Sequence, residues 1–279
     1  MINDKTNLIL DKSVTYAKTE DLKKGINCPL KNYDLDFDKF KAWVEQKFPD
    51  YREVHRDIYR KKLIELYASF KALDIRKNET YADLAGGRFT YINEIDCKRK
   101  ILHDLHVSTE LKKQMEGVAE IVESSAESIP LPDKSIDCIS SHHSFDHFQG
   151  NVDTVFIKEI CRLLSKGGRC MIIPVLIGSR YLEVTNNKNF KKHFDKRAEI
   201  LFDESATLPG RELSGYFARI YDVRAFRERV LDAIDQNEFD VTVYEITMNG
   251  RPTPFMDLPC NYMAAKINYP YRALFIKRK

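Results

Sequence analysis

The 279-residue sequence has no long apolar run. Its longest, Cys170 to Gly178, is interrupted by Pro174 and falls far short of the ~20 apolar residues a helix needs to cross a bilayer. The amino-terminal stretch lacks a signal-peptide core, because Asp11 and Lys12 follow directly on Leu8-Ile9-Leu10. No CxxC pair occurs. The six cysteines, at 28, 97, 138, 161, 170 and 260, are scattered, and at least three fall inside apolar segments. They read as reduced, buried thiols, which points to a cytoplasmic protein with no membrane span and no disulfide framework. Excess charge of one sign is missing too: 45 Lys and Arg face 42 Asp and Glu, for a net charge of +3. A dedicated nucleic-acid binder usually carries a stronger basic excess, so no nucleic-acid partner is expected. Repeats and low-complexity tracts are absent. With 43% hydrophobic residues the chain can bury a core without metal or disulfide staples.

The first ~35 residues are polar and mixed, with Gly25 and Pro29 as breakers. Asp36 to Phe48 reads as a short helix stopped by Pro49. From about Val54 to Leu73, apolar residues recur at steps of three and four, which predicts one face of a longer helix. Residues 1–75 therefore read as an N-terminal helical extension or cap. At Thr80 the rhythm changes to short apolar runs alternating with helical patterns: Tyr81–Ala85, Ile101–Asp104, Val118–Val122, Ile136–Ser141 and Arg169–Val175 read as strands. Helices are expected at Ser108–Met115 and Val152–Leu164, the latter ended by Lys166-Gly167-Gly168. Residues 176–220 are polar and look like an insertion over one edge of the sheet. Asp222–Ile234 is helical in pattern, and Phe239–Met248 and Tyr271–Lys277 add two strands. The expected fold for 76–279 is α/β, a Rossmann-like, seven-stranded, mostly parallel sheet with helices on both faces.

Three segments carry chemistry. Ala126 to Asp137 (Ala-Glu-Ser-Ile-Pro-Leu-Pro-Asp-Lys-Ser-Ile-Asp) is followed by Cys138 to His147 (Cys-Ile-Ser-Ser-His-His-Ser-Phe-Asp-His). Then comes Glu159 to Arg169 (Glu-Ile-Cys-Arg-Leu-Leu-Ser-Lys-Gly-Gly-Arg). In this order and spacing they resemble the class I S-adenosylmethionine-dependent methyltransferases of type 11. The resemblance covers about 80–175 well and the last two strands loosely. In an open parallel sheet, ligands bind beyond the carboxyl ends of the strands near the switch point. Here that edge carries Asp83 to Gly87, Asp104-Leu105, Ser125-Ala126 and Ser141 to Phe145. Asp104 lies 21 residues after Asp83, near the step familiar from dinucleotide sites. The resemblance implies that Asp83, Ala85, Gly86 and Gly87 hold the methionine end of S-adenosylmethionine. It further implies that Asp104 and Leu105 meet the ribose side, Ser125 and Ala126 the adenine edge, and that Ser141 and His142 line the pocket.

The sequence departs from the family in its glycine motif. Where the family has Asp-x-Gly-x-Gly-x-Gly, this chain reads Asp83-Leu84-Ala85-Gly86-Gly87-Arg88-Phe89. Ala85 is strained if that turn is left-handed. Ser125 replaces an acidic residue common beside adenine. The reading is therefore a methyltransferase acting on a small-molecule acceptor, carbohydrates included, with a catalytically inactive methyltransferase-like binding or scaffold protein as the alternative. His142, His143 and His147 are the candidates for a general base, because methyl transfer to a hydroxyl or amine benefits from loss of the acceptor proton. With Asp146 they also form a potential metal cluster, and His143 and His147 would share a face if the segment were helical. No HExxH pattern or distant third ligand accompanies them, so no metal is assigned. Tyr181, Phe190, Phe194, Phe202 and Tyr216 in the insertion could line the acceptor cavity. Tyr59 and Arg60 read as core and solvated residues, and Asp137 as a tie between loop and backbone amides.

Overall fold

A computed structural model describes residues 15–48, 59–86, 91–186, 195–203, 216–252 and 270–279, with the backbone alone for 59–62. The elements run in order: helix α1 (Thr19–Gly25), strand β1 (Leu30–Leu35), α2 (Phe37–Lys47), α3 (Tyr59–Leu73), β2 (Thr80–Leu84), β3 (Arg99–Asp104), α4 (Thr109–Met115), β4 (Glu120–Glu123) and β5 (Ile136–His142). They continue with α5 (Val152–Leu163), β6 (Leu164–Ile173), β7 (Leu182–Thr185), β8 (Glu199–Phe202), β9 (Phe217–Ile220), α6 (Val223–Arg229), β10 (Phe239–Met248), β11 (Arg251–Pro252) and β12 (Arg272–Arg278). The large sheet has the order β1-β10-β12-β6-β5-β2-β3-β4, with β11 paired to β10. Pairing is parallel from β6 through β4, whereas β12 runs antiparallel to both β6 and β10. The seven strands from β10 to β4 are those expected from periodicity.

The helix boundaries follow from capping. Asp36 accepts the Lys39 amide at 3.0 Å, Ser108 the Leu111 amide at 3.2 Å and Asp222 the Ala225 amide at 2.6 Å. In α5, Phe156, Ile157, Ile160 and Leu163 bury one face against the sheet. Each such side chain contributes about 1.5–3 kcal/mol on burial. Successive residues of β2 face opposite layers: Tyr81 joins the core with α2, α3 and α4, and Ala82 and Leu84 the core with α1, α5 and α6. Asp137 accepts from the Thr80 amide at 2.8 Å and from Ser165 Oγ at 2.7 Å, the structural tie expected of it.

Three expectations need correction. The N-terminal extension is not wholly helical, because Leu30–Leu35 pairs in parallel with Leu30↔Val243 to Leu35↔Met248 as an extra edge strand. Its alternation is too polar to register as a strand in sequence. Lys166-Gly167-Gly168 does not end α5; the helix stops at Leu163, and Gly167 (φ 76°) shapes the irregular start of β6. A Cβ at Gly168 would press on the carbonyls of Ser165 (2.8 Å) and Ile136 (3.1 Å). Finally, 176–220 is not a polar flap. It contributes a second, three-stranded sheet of order β8-β7-β9, in which β7 and β9 are fully buried.

What misled the eye in that insertion is a buried ion network. Arg219 on β9 donates through Nε and Nη2 to Glu183 Oε1 on β7, at 3.1 and 2.7 Å. Its Nη1 lies 2.8 Å from Asp153 Oδ2, in the first turn of α5. Arg229 from α6 grips the same carboxylate at 2.9 and 2.7 Å, and Tyr221 donates its hydroxyl to it at 2.8 Å. Burial alone would raise the Asp153 carboxyl. The Arg229 hydrogen bonds and the fields of Arg219 and Arg229 outweigh it and hold the group below its ordinary value. The charges thus fasten the small sheet to two helices of the large one.

The turn after β2 is the local feature that positions the site. Ala85 is left-handed at φ 54°. Both of its backbone groups are held: its N–H donates to His103 Nδ1 at 3.3 Å, and its carbonyl accepts from Ser144 Oγ at 2.5 Å. The next amide, of Gly86, donates to the His103 carbonyl at 3.1 Å. Burial outweighs the neighbouring carboxylates and lowers His103 below its ordinary range, so the ring is neutral and Nδ1 can accept. Its Nε2 then donates to the Ser124 carbonyl at 3.1 Å.

Two stability outcomes follow. Asp153→Asn leaves two buried guanidinium groups without their shared counter-charge and should cost about 3–5 kcal/mol by denaturant unfolding; a loss below about 1 kcal/mol would contradict the network's role. Ala85→Gly should raise stability by about 0.5–1 kcal/mol, the relieved left-handed strain less the added entropy of the unfolded chain. A destabilised Ala85→Gly protein would mean that the turn is not strained.

Candidate functional site

The chain leaves β2 toward β3 and β4 on one side and returns to β5 and β6 on the other, so β2 and β5 flank the switch point. Register places Asp83 beside both Leu102 and Ser140. The Asp83 side chain is fully buried. Oδ1 accepts from Ser140 Oγ at 3.3 Å and lies 3.7 Å from His142 Nδ1. Oδ2 is enclosed and has no hydrogen-bond partner among the described residues. A Cβ on Gly86 would collide with that oxygen, so glycine is needed there for close approach. Ser141, on the neighbouring strand end, is 1% exposed, and its Oγ also lacks a partner. Gly87, Arg88 and Phe89 lie outside the described residues.

At the ends of β3 and β4 the remaining candidates converge. Asp104 is buried, and its Oδ1 accepts the His106 amide at 3.3 Å. Leu105 is 72% exposed, an unusual position for a large apolar side chain. The Ser124 amide donates to the Asp104 carbonyl at 3.2 Å, which fixes the loop carrying Ser125 and Ala126 beside it. Ser125 Oγ accepts the Glu127 amide at 3.2 Å and makes a local turn; Ala126 is buried. The carboxyl edge thus gathers Asp83, Ala85, Gly86, Asp104, Leu105, Ser125, Ala126 and Ser141.

The three histidines, by contrast, are separated. β5 runs through His142, His143 has φ 50°, and only Phe145–His147 forms a short 3-10 turn. His143 and His147 therefore share no helical face. His142 is buried, with Nε2 2.9 Å from Ser69 Oγ and Nδ1 3.4 Å from the Tyr91 hydroxyl. His143 Nε2 lies 2.7 Å from Glu65 Oε1. His147 Nδ1 meets the Phe217 carbonyl at 2.6 Å, its ring set edge-on to Tyr216. Among the described residues no group of three or more His, Cys, Asp or Glu is arranged to hold a metal ion. Of the insertion's aromatics, Tyr181 and Tyr216 are buried and Phe202 is 36% exposed. Phe190 and Phe194 lie outside the described residues.

Sequence reasoning missed the layer behind the site. Ser140 Oγ is 2.5 Å from the Tyr81 hydroxyl and 2.6 Å from that of Tyr91. Burial first, then the Asp83 charge among others, pushes both phenols well above their usual range, so they stay neutral donors. Glu65 and Ser69, one helical turn apart on α3, reach His143 and His142 respectively. A signal existed: these are buried polar residues inside an otherwise apolar helical run. The side chains of Tyr59 and Arg60 lie outside the described residues.

Comparison with known proteins matches part of this stretch. Residues 82–172, from β2 through most of β6, match the family model described as a methyltransferase domain. No curated protein sequence matches the chain significantly. Among solved structures, the YcgJ protein of Bacillus subtilis shares 22% identity, with 40% of this chain and 51% of that one covered and a TM-score of 0.34. This chain therefore spans about half the length of that relative. The 1,6-didemethyltoxoflavin-N1-methyltransferase of Burkholderia thailandensis, solved with S-adenosylhomocysteine, shares 13% identity over 90% of this chain and 94% of its own, with a TM-score of 0.47. The PH0226 protein of Pyrococcus horikoshii shares 19% identity over 47% and 61%, with a TM-score of 0.36. No described helix is long and apolar enough to cross a membrane. Glycine-dependent turn, acidic strand ends and family match coincide on one stretch of chain, residues 82–172, which is similar to a methyltransferase domain.

Proposed function

We propose that the chain binds S-adenosylmethionine across the carboxyl ends of β2, β3 and β5 and methylates a small-molecule acceptor. The observation that carries this reading is the buried Asp83 Oδ2, which hydrogen-bonds nothing among the described residues. An orphaned carboxylate oxygen is costly unless a ligand satisfies it. The ammonium group of the donor's methionine end suits it, with the unpartnered Ser141 Oγ alongside. Asp104 would accept the ribose hydroxyls. Leu105 would lie against the adenine face, which accounts for its exposure, and Ser125 and Ala126 would border the adenine edge. Bound there, the donor supplies a methyl group already activated on a sulfonium.

Ala85 motivates the scaffold alternative, but its turn favours binding. The left-handed conformation is kept without glycine because His103 and Ser144 hold the backbone from both sides. For the chain's own residues the task is to position donor and acceptor and to manage a proton. His147 is the best placed of the three histidines. A carbonyl can only accept, so Nδ1 carries a proton toward Phe217 O, which leaves Nε2 as the only ring nitrogen able to accept. The ring is about one-fifth exposed, whereas His142 is enclosed by Ser69 and Tyr91. The insertion with β7–β9 would supply the acceptor side, with Tyr216 beside the base.

Calorimetry tests the reading. The protein should bind both S-adenosylmethionine and S-adenosylhomocysteine. Asp83→Asn and Asp104→Ala should each weaken binding by tenfold or more, about 1.4 kcal/mol. Absence of heat at millimolar donor would assign the chain to the scaffold class; unchanged affinity in either variant would remove that residue from the site.

A further inference from the structure

A third unsatisfied oxygen lies near the same edge, beyond the end of β5. Asp146, in the 3-10 turn Phe145–His147, is 6% exposed, and its Oδ1 has no hydrogen-bond partner among the described residues. Its Oδ2 lies 3.7 Å from His147 Nε2, too far for a hydrogen bond. The proton of that ring is committed to the Phe217 carbonyl on β9 at 2.6 Å. A carboxylate acceptor therefore faces the one ring nitrogen of His147 that can accept, and a donor between them would serve both. Buried acceptors set against each other without one are unfavourable. Tyr216 adjoins the pair, its ring 5.8 Å from that of His147. Burial, then the field of Asp146 and further that of Tyr16 and Asp203, holds the Tyr216 hydroxyl well above its usual value, which marks the place as electronegative.

Resting on the methyltransferase reading above, we infer that the seam between this turn and β9 takes the methyl acceptor as an amine in its ammonium form, with Asp146 as counter-ion. The chemistry of the two groups selects this class. An ammonium brings up to three N–H donors and a positive charge, so it can satisfy Asp146 and His147 Nε2 together. A hydroxyl, as on a carbohydrate, brings one proton and no charge, and leaves one acceptor bare. The aromatic wall of Tyr216 is compatible with a cation. His147 Nε2 is then in place to take the proton the nitrogen must lose before it can use its lone pair.

The test uses the full chain with isotope-labelled histidine, methylammonium chloride as probe, methanol as neutral isostere and sodium chloride to match ionic strength. The His147 ring resonances, assigned from His147→Asn, should shift saturably with methylammonium and not with methanol. Asp146→Asn should weaken this response at least tenfold, while Asp146→Glu should retain it within about threefold, a factor worth roughly half a decade of affinity. Because Asp146→Asn also removes a buried charge lacking a described counter-charge, its thermal midpoint without ligand should rise. A His147 ring doubly protonated at neutral pH in the free protein, an equal response to methanol, or an unchanged response in Asp146→Asn overturns the inference. S-adenosylhomocysteine binding measured on the same samples separates the two readings. Donor binding without a methylammonium response sinks the amine assignment alone; a methylammonium response without donor binding sinks the methyltransferase reading.

Discussion

Burial of the Asp83 carboxylate at the switch point is the constraint on which the rest depends. One oxygen is held by Ser140, itself held by two neutral phenols, and the other is left bare. Such a group is tolerable only where the surrounding framework over-determines its position. The framework here is extensive. Gly86 leaves room for the carboxylate, Ala85 bends the chain away in a left-handed turn, and His103 and Ser144 hold that turn open. Polar residues of α3 reach the other side of β5. The left-handed turn at Ala85 is thus held by side-chain hydrogen bonds from strand β3, through His103, and from the loop after β5, through Ser144.

The central sheet was legible in the sequence because its strands are buried on both faces and read as apolar runs. The chain order of segments identified the carboxyl edge, and with it Asp83, Asp104 and Ser141. Other parts were hidden for physical reasons. Edge strand β1 has only one strongly buried residue, Leu35, so no period of two stands out. The insertion concealed a buried sheet because its charged Glu183 and Arg219 pair with each other in its interior, while Arg219 and Arg229 together hold Asp153 of α5. His142, His143 and His147 looked like one cluster because sequence adjacency does not reveal that a strand end and a 3-10 turn send side chains to different layers.

The two sheets meet where chemistry is expected. The Phe145–His147 turn touches β9 through the bond from His147 to Phe217, and the first turn of α5 touches it through Asp153 and Arg219. The small sheet is therefore anchored to the large one by buried charge as well as by apolar packing. Ion pairs of this kind contribute less to stability than to geometry, since their desolvation offsets much of their attraction. They do specify one arrangement of the two sheets.

The outermost strand has a consequence for handling the protein. β1 lies along β10, whose Val243, Ile246 and Met248 are buried, and turns Lys31, Asn32 and Asp34 outward. Polar and charged side chains on a terminal strand discourage a second chain from adding to the sheet. Residues 30–35 therefore act as a guard rail along the β10 side of the sheet. A shortened chain beginning at α2 would bare a long, greasy backbone ladder, and its first symptom would be self-association rather than loss of the ligand site.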